Sequence, residues 1–410
     1  MINLIYFEFM IKSMNIFEYM KKNNILELTF TKKESPNKKV RNLSSYKKLY
    51  SMIKQLKHEK VVFHYDSETD SRFIVAIHST KRGPALGGSR FYEYKNEEDV
   101  IFDVLRLSRG MSHKSAGVNL RLGGGKAVCW LDKKGKFEDR IRAYAEFLSS
   151  FDGEYITGED VGTTVEDMDL IYLHQKKIGV KVPNVVCCST KLGGAGDPSP
   201  FTSIGVFDGL KATVEYKLHR GLNGLKVALQ GTGKVGMPLA KMLVDAGCIV
   251  YATATKIDSV TPLMDYASRK KKGKNVFWIE PEKIYDVECD VFSPCALGAI
   301  LNKNTIPRLK CPIVAGSANN QLEDEIADGE RLRKRGILYA PDFIINAGGL
   351  INAAEDYFAH RSHRKWKASN VKKKLSLIPT NLKLIYRISE REDITTAQAA
   401  LKLAEERIKR

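Results

Sequence analysis

Apolar residues in this chain follow two periods, and the switch between them marks the elements. From residue 46 to 56 they recur every three or four positions, which predicts a helix. VVFHYD (61–66) and RFIVAIHST (72–80) are β-branched and apolar around a polar turn, the pattern of two paired strands. NEEDVIFDVLRLSRGMSHKSA (96–116) returns to the 3.6 period behind an acidic first turn and predicts a long helix. KAVCW (126–130) then reads as a strand, and EDRIRAYAEFLSSF (138–151) and TVEDMDLIYLHQKK (164–177) as two further helices. Ahead of all this, MNIFEYMKKN (14–23) is one amphipathic stretch, followed by a polar Lys/Ser/Asn segment with Pro36. Residues 1–44 therefore read as an extension on a loose tether, with Met14 an alternative start.

Near residue 200 the texture changes. GLKVALQGTGKVGMPLAKMLVDAGCIVYATAT (224–255) is strand, Gly-rich turn, helix, strand; CDVFSPCA, CPIVAGSANN and GILYAPDFIINAGG continue the alternation. Short apolar strands separated by helices predict a parallel sheet in a second domain. Gly231, Gly233 and Gly236, with Thr232, Lys234 and Val235 between them, sit directly after KVALQ at the start of a helix. In that setting the spacing points to a dinucleotide. The first glycine allows the tight turn, the second admits the pyrophosphate, and the third lets helix and strand pack closely. An acid that would hold the ribose 2′-hydroxyl is missing from the end of the next strand. Ala254 stands there, with Thr255 and Lys256 after it and Asp258 as the nearest acid. Nothing at this position repels a 2′-phosphate, so NAD and NADP both remain open, with a lean to NADP.

Charge alters this picture little. The net charge is +18, but residues 1–60 hold 13 Lys/Arg against 5 Asp/Glu and residues 361–410 hold 14 against 5. The middle of the chain is near neutral and shows no basic stripe interleaved with aromatics, so nucleic acid is not the expected partner. No apolar run reaches the ~20 residues of a membrane span, and the opening MINLIYFEFMIK carries Glu8 and lacks a signal peptide's flanks. Seven cysteines without CxxC spacing fit a reduced, cytoplasmic chain, with Cys129 and Cys295 as small core residues. The eight histidines show no HExxH pairing, and no metal is expected; His113 reads as packing.

RLGGGKAVCW (121–130) poses the chemical question. Its lysine is not a Walker phosphate clamp, because Leu120 and Ala127 stand where that loop needs a glycine and a hydroxyl. GPALGGSR (83–90), LSRGMSHKSAGVNLRLGGGKAV (107–128), ITGEDVGTT (156–164), SPCALGA (293–299), AGSANNQL (315–322) and APDFIINAGGLIN (340–352) together resemble the Glu/Leu/Phe/Val amino-acid dehydrogenases. The similarity is closest to the leucine/phenylalanine (and tryptophan) branch and runs from about Tyr46 to LAEERI (403–408).

The resemblance implies a two-domain α/β fold. An N-terminal mixed-sheet substrate and oligomerisation domain (45–184, completed by about 385–410) would precede a Rossmann-like dinucleotide-binding domain (185–384). It also implies a homo-oligomer and reversible NAD(P)-dependent oxidative deamination of an L-amino acid to its 2-oxo acid and ammonia. Lys126 matches the lysine that activates water, and a lysine among glycines and apolar residues near a second cation loses affinity for its proton. Asp160 matches the carboxylate that shuttles protons. Lys114 matches the partner of the substrate carboxylate, alongside the backbone N–H groups of Gly87 and Gly88. Asn320 matches a substrate contact, Asn319 a neighbour of the nicotinamide, and Thr202 a partner of its carboxamide. Leu86, Gly158, Leu350 and Ala353 match the side-chain pocket; they carry no cation, which disfavours glutamate, and Gly158 with Leu350 resembles the aromatic-specific members. The other reading is an inactive dehydrogenase scaffold whose basic ends bind a polyanion.

Overall fold

A computed structural model describes residues 15–31, 38–41, 43, 45–131 and 137–410. The opening residues, the alternative start at Met14 and the Pro36 segment lie outside them. Seven strands make the first sheet: β1 (Glu27–Thr31), β2 (Lys60–Asp66), β3 (Ser71–Ser79), β4 (Ala85–Leu86), β5 (Ser89–Tyr92), β6 (Gly123–Trp130) and β7 (Tyr155–Ile156). The order is β1-β2-β3-β6-β4-β7, with β5 also beside β6. β1, β2, β3 and β6 pair antiparallel, whereas β4 and β5 run parallel to β6, so the sheet is mixed, as expected.

Both faces of this sheet are covered, which is why β2 and β3 are apolar almost throughout. Val61, Phe63, Ile74, Ala76 and Val128 pack on Val100, Ile101, Val104 and Leu105 of the long helix Glu97–Gly117. On the other face Val62, Phe73, Val75, Ala127 and Cys129 meet Ile141, Tyr144 and Leu148 of helix Phe137–Ser149, with Ile171 of helix Val165–Lys177. The predicted helices stand close to where their periodicity placed them. β6 begins earlier than its apolar run: the three glycines are already in the ladder, paired with Ser79, Ile77, Ala85 and Leu86.

The reading of the amino terminus as a loose extension needs correction for residues 15–31. Helix Ile16–Lys22 buries Ile16, Phe17 and Met20, and β1 extends the sheet edge by pairing with β2. The Ile16 and Phe17 N–H groups each donate to the buried Glu97 carboxylate at 2.9 Å, and the Ser45 hydroxyl donates to it at 2.5 Å. A carboxylate in the first turn of the 97–117 helix thus also caps the helix at residue 16.

The second sheet holds six parallel strands: β8 (Lys226–Gln230), β9 (Ile249–Thr253), β10 (Val276–Trp278), β11 (Val291–Pro294), β12 (Ile313–Val314) and β13 (Leu338–Tyr339). Their order, β10-β9-β8-β11-β12-β13, reverses direction between β8 and β11. That is the dinucleotide-binding arrangement, and ligands sit at such a switch point. The last helix, Thr396–Lys409, returns to the first domain and packs on the 97–117 helix. Its Arg407 donates to the Ala116 and Gly117 carbonyls at 3.0 and 2.7 Å, closing that helix's carboxyl end.

Candidate active site

Along one edge β6 meets β3. Along the other it meets β4 at Gly123 and Gly124, then β5 from Ala127 onward. Gly125 and Lys126 therefore lie opposite the Gly87–Gly88 link that joins β4 to β5. A methyl on Gly87 would collide with the Gly125 carbonyl, and one on Gly88 would sit 2.9 Å from the Asp160 Cβ. Both glycines are required by this crowding alone. The Gly87 N–H already donates to the Ile156 carbonyl at 3.1 Å, so the expectation that it binds a substrate carboxylate is not supported. The Gly88 N–H has no acceptor among the described residues.

Strand period two puts Gly124, Lys126 and Val128 on one face, toward the 97–117 helix that carries Lys114. The Lys126 ammonium lies 3.0 Å from Asp160 Oδ1, and its side chain is 5% exposed. Burial pushes that ammonium below the ordinary lysine range, Asp160 opposes the drop, and Arg90 adds to it. For Asp160, burial alone would raise the carboxyl, but Lys126 and Arg90 outweigh it and hold it at about 2. The half-buried Lys114 is depressed to about 8 by burial and by Lys126, against the pull of Asp342 and Asp160. Two ammonium groups and one ionised carboxylate thus share a single corner, where burial loosens the hold of each lysine on its proton.

The dinucleotide turn fits its ligand by steric tests. Gly231 has φ +101°, and a methyl on it would lie 2.7 Å from the Ala296 Cβ; a methyl on Gly236 would strike the Gly231 carbonyl. Nothing lies within 4 Å of a methyl on Gly233, so that face of the turn is open to a phosphate. The Thr232 hydroxyl donates to the Ser259 carbonyl at 2.8 Å, drawing the exposed residues Thr255, Lys256 and Asp258 toward the turn, with Ala254 half-buried behind them. Lys234 is exposed, and its charge reaches Glu159, the neighbour of Asp160. Val235 ties the turn to the preceding helix, Ser199–Leu218: the buried Ser203 donates to its carbonyl at 3.0 Å. Thr202, beside Ser203, sits near this turn, and its hydroxyl donates to the Pro198 carbonyl at 3.2 Å.

The Asn319 side-chain oxygen accepts from Asn346 at 2.7 Å, and Asn320 has φ +49° in a turn whose carbonyl accepts from Ala299. Leu86, Leu350 and Ala353 fall in one apolar cluster with Ile156, Val186 and Phe201. Gly158 joins them, since a methyl there would lie 3.5 Å from Val186.

Reading the sequence missed several members of this corner. Arg90 Nε donates to Asp160 Oδ2 at 2.9 Å, and its NH1 donates to Asp103 at 2.6 Å. Asp342 is a buried acid whose charge faces Lys114, and it accepts the Gln321 N–H at 3.1 Å. Arg90 and Asp342 both stand inside motifs quoted above; the missing signal was which acid each arginine or lysine would meet.

Residues 193–410 match the family model described as Glutamate/Leucine/Phenylalanine/Valine dehydrogenase, and residues 59–177 match Glu/Leu/Phe/Val dehydrogenase, dimerisation domain. The chain belongs to this family. It is 42% identical over 364 residues to the leucine dehydrogenase of Thermoactinomyces intermedius, covering 88% of this chain and 93% of that one. It is 40% identical over 361 residues to the L-tryptophan dehydrogenase of Nostoc punctiforme, covering 88% and 96%. The crystal structure of L-tryptophan dehydrogenase from Nostoc punctiforme superposes with a TM-score of 0.75 at 38% identity, over 88% of this chain and 98% of that chain. As a Glu/Leu/Phe/Val dehydrogenase the chain is an oxidoreductase that uses a nicotinamide cofactor. The polyanion-binding scaffold gains no support from these matches. Among the described residues no helix is long and apolar enough to cross a membrane.

Proposed function

We propose that this dehydrogenase catalyses the reversible NAD(P)-dependent oxidative deamination of a bulky apolar or aromatic L-amino acid, with Lys126 as the base that activates water. The observation that carries this reading is the 3.0 Å approach of the buried Lys126 ammonium to Asp160 beside Lys114. Lys114 pairs with the substrate carboxylate and thereby aims the amino group at Asp160. Asp160 takes and returns the proton of that amino group. Lys126 removes a proton from the water that attacks the imine carbon of the oxidised substrate. A nicotinamide cofactor, when bound, would supply the hydride acceptor; the Gly231–Gly236 turn would hold its pyrophosphate, and Asn319 and Thr202 would hold its nicotinamide end. Asn320 contacts the substrate.

Leu86, Gly158, Leu350 and Ala353 surround the side chain, and the room for one methyl that Gly158 leaves unfilled against Val186 supports an aromatic ring over leucine. Exposed Lys256 after the second strand favours NADP, and Asp258 favours NAD. The dimerisation-domain match supports assembly of identical subunits through the first domain, and seven cysteines without CxxC spacing support a cytoplasmic setting.

Reduction of NAD and of NADP with a panel of L-amino acids tests the reading. Phenylalanine, tryptophan or leucine is expected to turn over fastest, and Lys126→Ala is expected to lose several orders of magnitude in kcat while keeping its fold. Fastest turnover of glutamate, or full activity in Lys126→Ala, would overturn it.

A further inference from the structure

The Asp160 carboxylate is gripped from two sides. Oδ1 meets Lys126 at 3.0 Å, and Oδ2 accepts from Arg90 Nε at 2.9 Å. The same guanidinium reaches back through NH1 to Asp103 Oδ2 at 2.6 Å, and the Tyr94 hydroxyl donates to that oxygen at 2.7 Å. A row of alternating charge therefore runs Asp103–Arg90–Asp160–Lys126. It begins at an open hollow lined by Arg90, Tyr92, Tyr94, Asp99, Phe102, Asp103 and Val161 and ends in the buried corner. Left alone with an ionised carboxylate at 3.0 Å, a buried lysine would keep its proton and fail as a base. A second cation on that carboxylate removes part of its hold.

We infer that Arg90, braced by Asp103, is a positioning residue for the Asp160–Lys126 pair, turning the carboxylate toward the lysine and balancing its charge. The inference rests on the assignment of Lys126 as the base. The charged groups that act most on Lys126 are Asp160 from the loop after β7, Arg90 from β5, and Asp103 and Lys114 from the 97–117 helix, where Asp103 also pairs with Arg106 at 3.2 Å. Arg90 opposes the protonated form of Lys126, whereas Asp160 and Asp103 favour it. Lysine at position 90 would keep the charge, but a point ammonium cannot grip two carboxylates as the planar fork does.

The test is the pH midpoint of Lys126 acylation by acetic anhydride, read by mass spectrometry without any turnover. Arg90→Gln is expected to raise the midpoint by about one pH unit. Asp103→Asn is expected to lower it by about half a unit. Arg90→Lys is expected to hold the midpoint while kcat falls about tenfold. Opposite shifts in two variants that both remove the Arg90–Asp103 ion pair are not what a purely structural role produces. If Arg90→Gln does not fold, the sign of the shift in Asp103→Asn decides alone. An unmoved or lowered midpoint in Arg90→Gln, a raised one in Asp103→Asn, or a shift in Arg90→Lys as large as in Arg90→Gln would overturn the inference. Absence of amino-acid oxidation by the parent enzyme would instead overturn the proposed reaction, because the labelling midpoint is measured apart from it.

Discussion

Gly124→Ala tests how the two lysines are spaced. Gly124 faces the 97–117 helix at Ser112, and a methyl built on it would lie 2.5 Å from both the Ser112 Cα and Oγ, with the backbone nitrogen nearer still. Carbon atoms rest at about 3.5 Å or more. Strand and helix must therefore part by about 1 Å, and backbone cannot swing aside as a side-chain tip would. Gly124 and Ser112 stand two residues before Lys126 and Lys114 respectively, so the displacement passes directly into the gap between the ammonium groups. A misplacement of that size costs about 100-fold in kcat/KM, or roughly 2.7 kcal/mol of transition-state stabilisation. The overpacking itself costs about 1–3 kcal/mol of folding stability. Steady-state kinetics on the preferred amino acid and urea unfolding measure the two effects separately. Gly110→Ala is the control: it lies in the same helix, a methyl there meets nothing within 4 Å, and it should stabilise by about 0.5–1 kcal/mol with unchanged kinetics. A Gly124→Ala enzyme whose kcat/KM stays within about twofold of the parent would refute the reasoning, whatever happens to its stability.

Gly158→Ala places a methyl 3.5 Å from Val186, an ordinary contact, so it should fold normally and shift the kcat/KM ratio from aromatic substrates toward leucine by about tenfold; an unchanged ratio removes Gly158 from the pocket. Lys114, depressed to about 8 by burial, must be charged to hold a carboxylate. Inhibition by 4-methylpentanoate, which has no amino group, should therefore weaken as pH rises through about 8, and a Ki flat to pH 10 would contradict the assignment. Glu355 is 1% exposed and accepts from Arg364 at 2.5 Å, Lys374 at 2.5 Å and Asn370 at 2.9 Å. Burial alone would raise its carboxyl, but these partners hold it at about 2. Its folded value lies below the unfolded one, so its contribution is present above the ordinary carboxylate range and is lost as pH falls to about 2. Allowing for half-exposed cations, that contribution is about 2 kcal/mol, which Glu355→Gln should remove in urea unfolding at neutral pH.

The sequence revealed most where chemistry and local period agreed. Lys126, Asp160 and the Gly231–Gly236 turn lie in motifs whose residue types are unusual together, and the parallel character of the second sheet, though not its strand order, follows from its alternation. Arg90 was printed in GPALGGSR, yet a single arginine in a strand reads as surface charge; its role appears only when Asp103, 13 residues on, turns toward it from a helix. Helix Ser199–Leu218 left no amphipathic signal because Phe201, Gly205, Val206, Gly209, Leu210 and Val214 bury it nearly all round. Gly205 and Gly209 admit Ile378 and Ile345 against its backbone, and glycines weaken any helical pattern. β1 was hidden for the opposite reason: only Phe30 is buried, and the ladder with β2 makes it a strand.

The last helix has a consequence for how the molecule is made. Fourteen residues at the far end of the chain, through Arg407, close the helix on which Lys114 is carried. A ribosome delivers the first domain well before it delivers that clasp, so the 97–117 helix waits with its carboxyl end unclosed while the intervening second domain is made. Removing the Thr396–Lys409 helix would therefore uncap the helix that carries Lys114, although the two lie hundreds of residues apart along the chain.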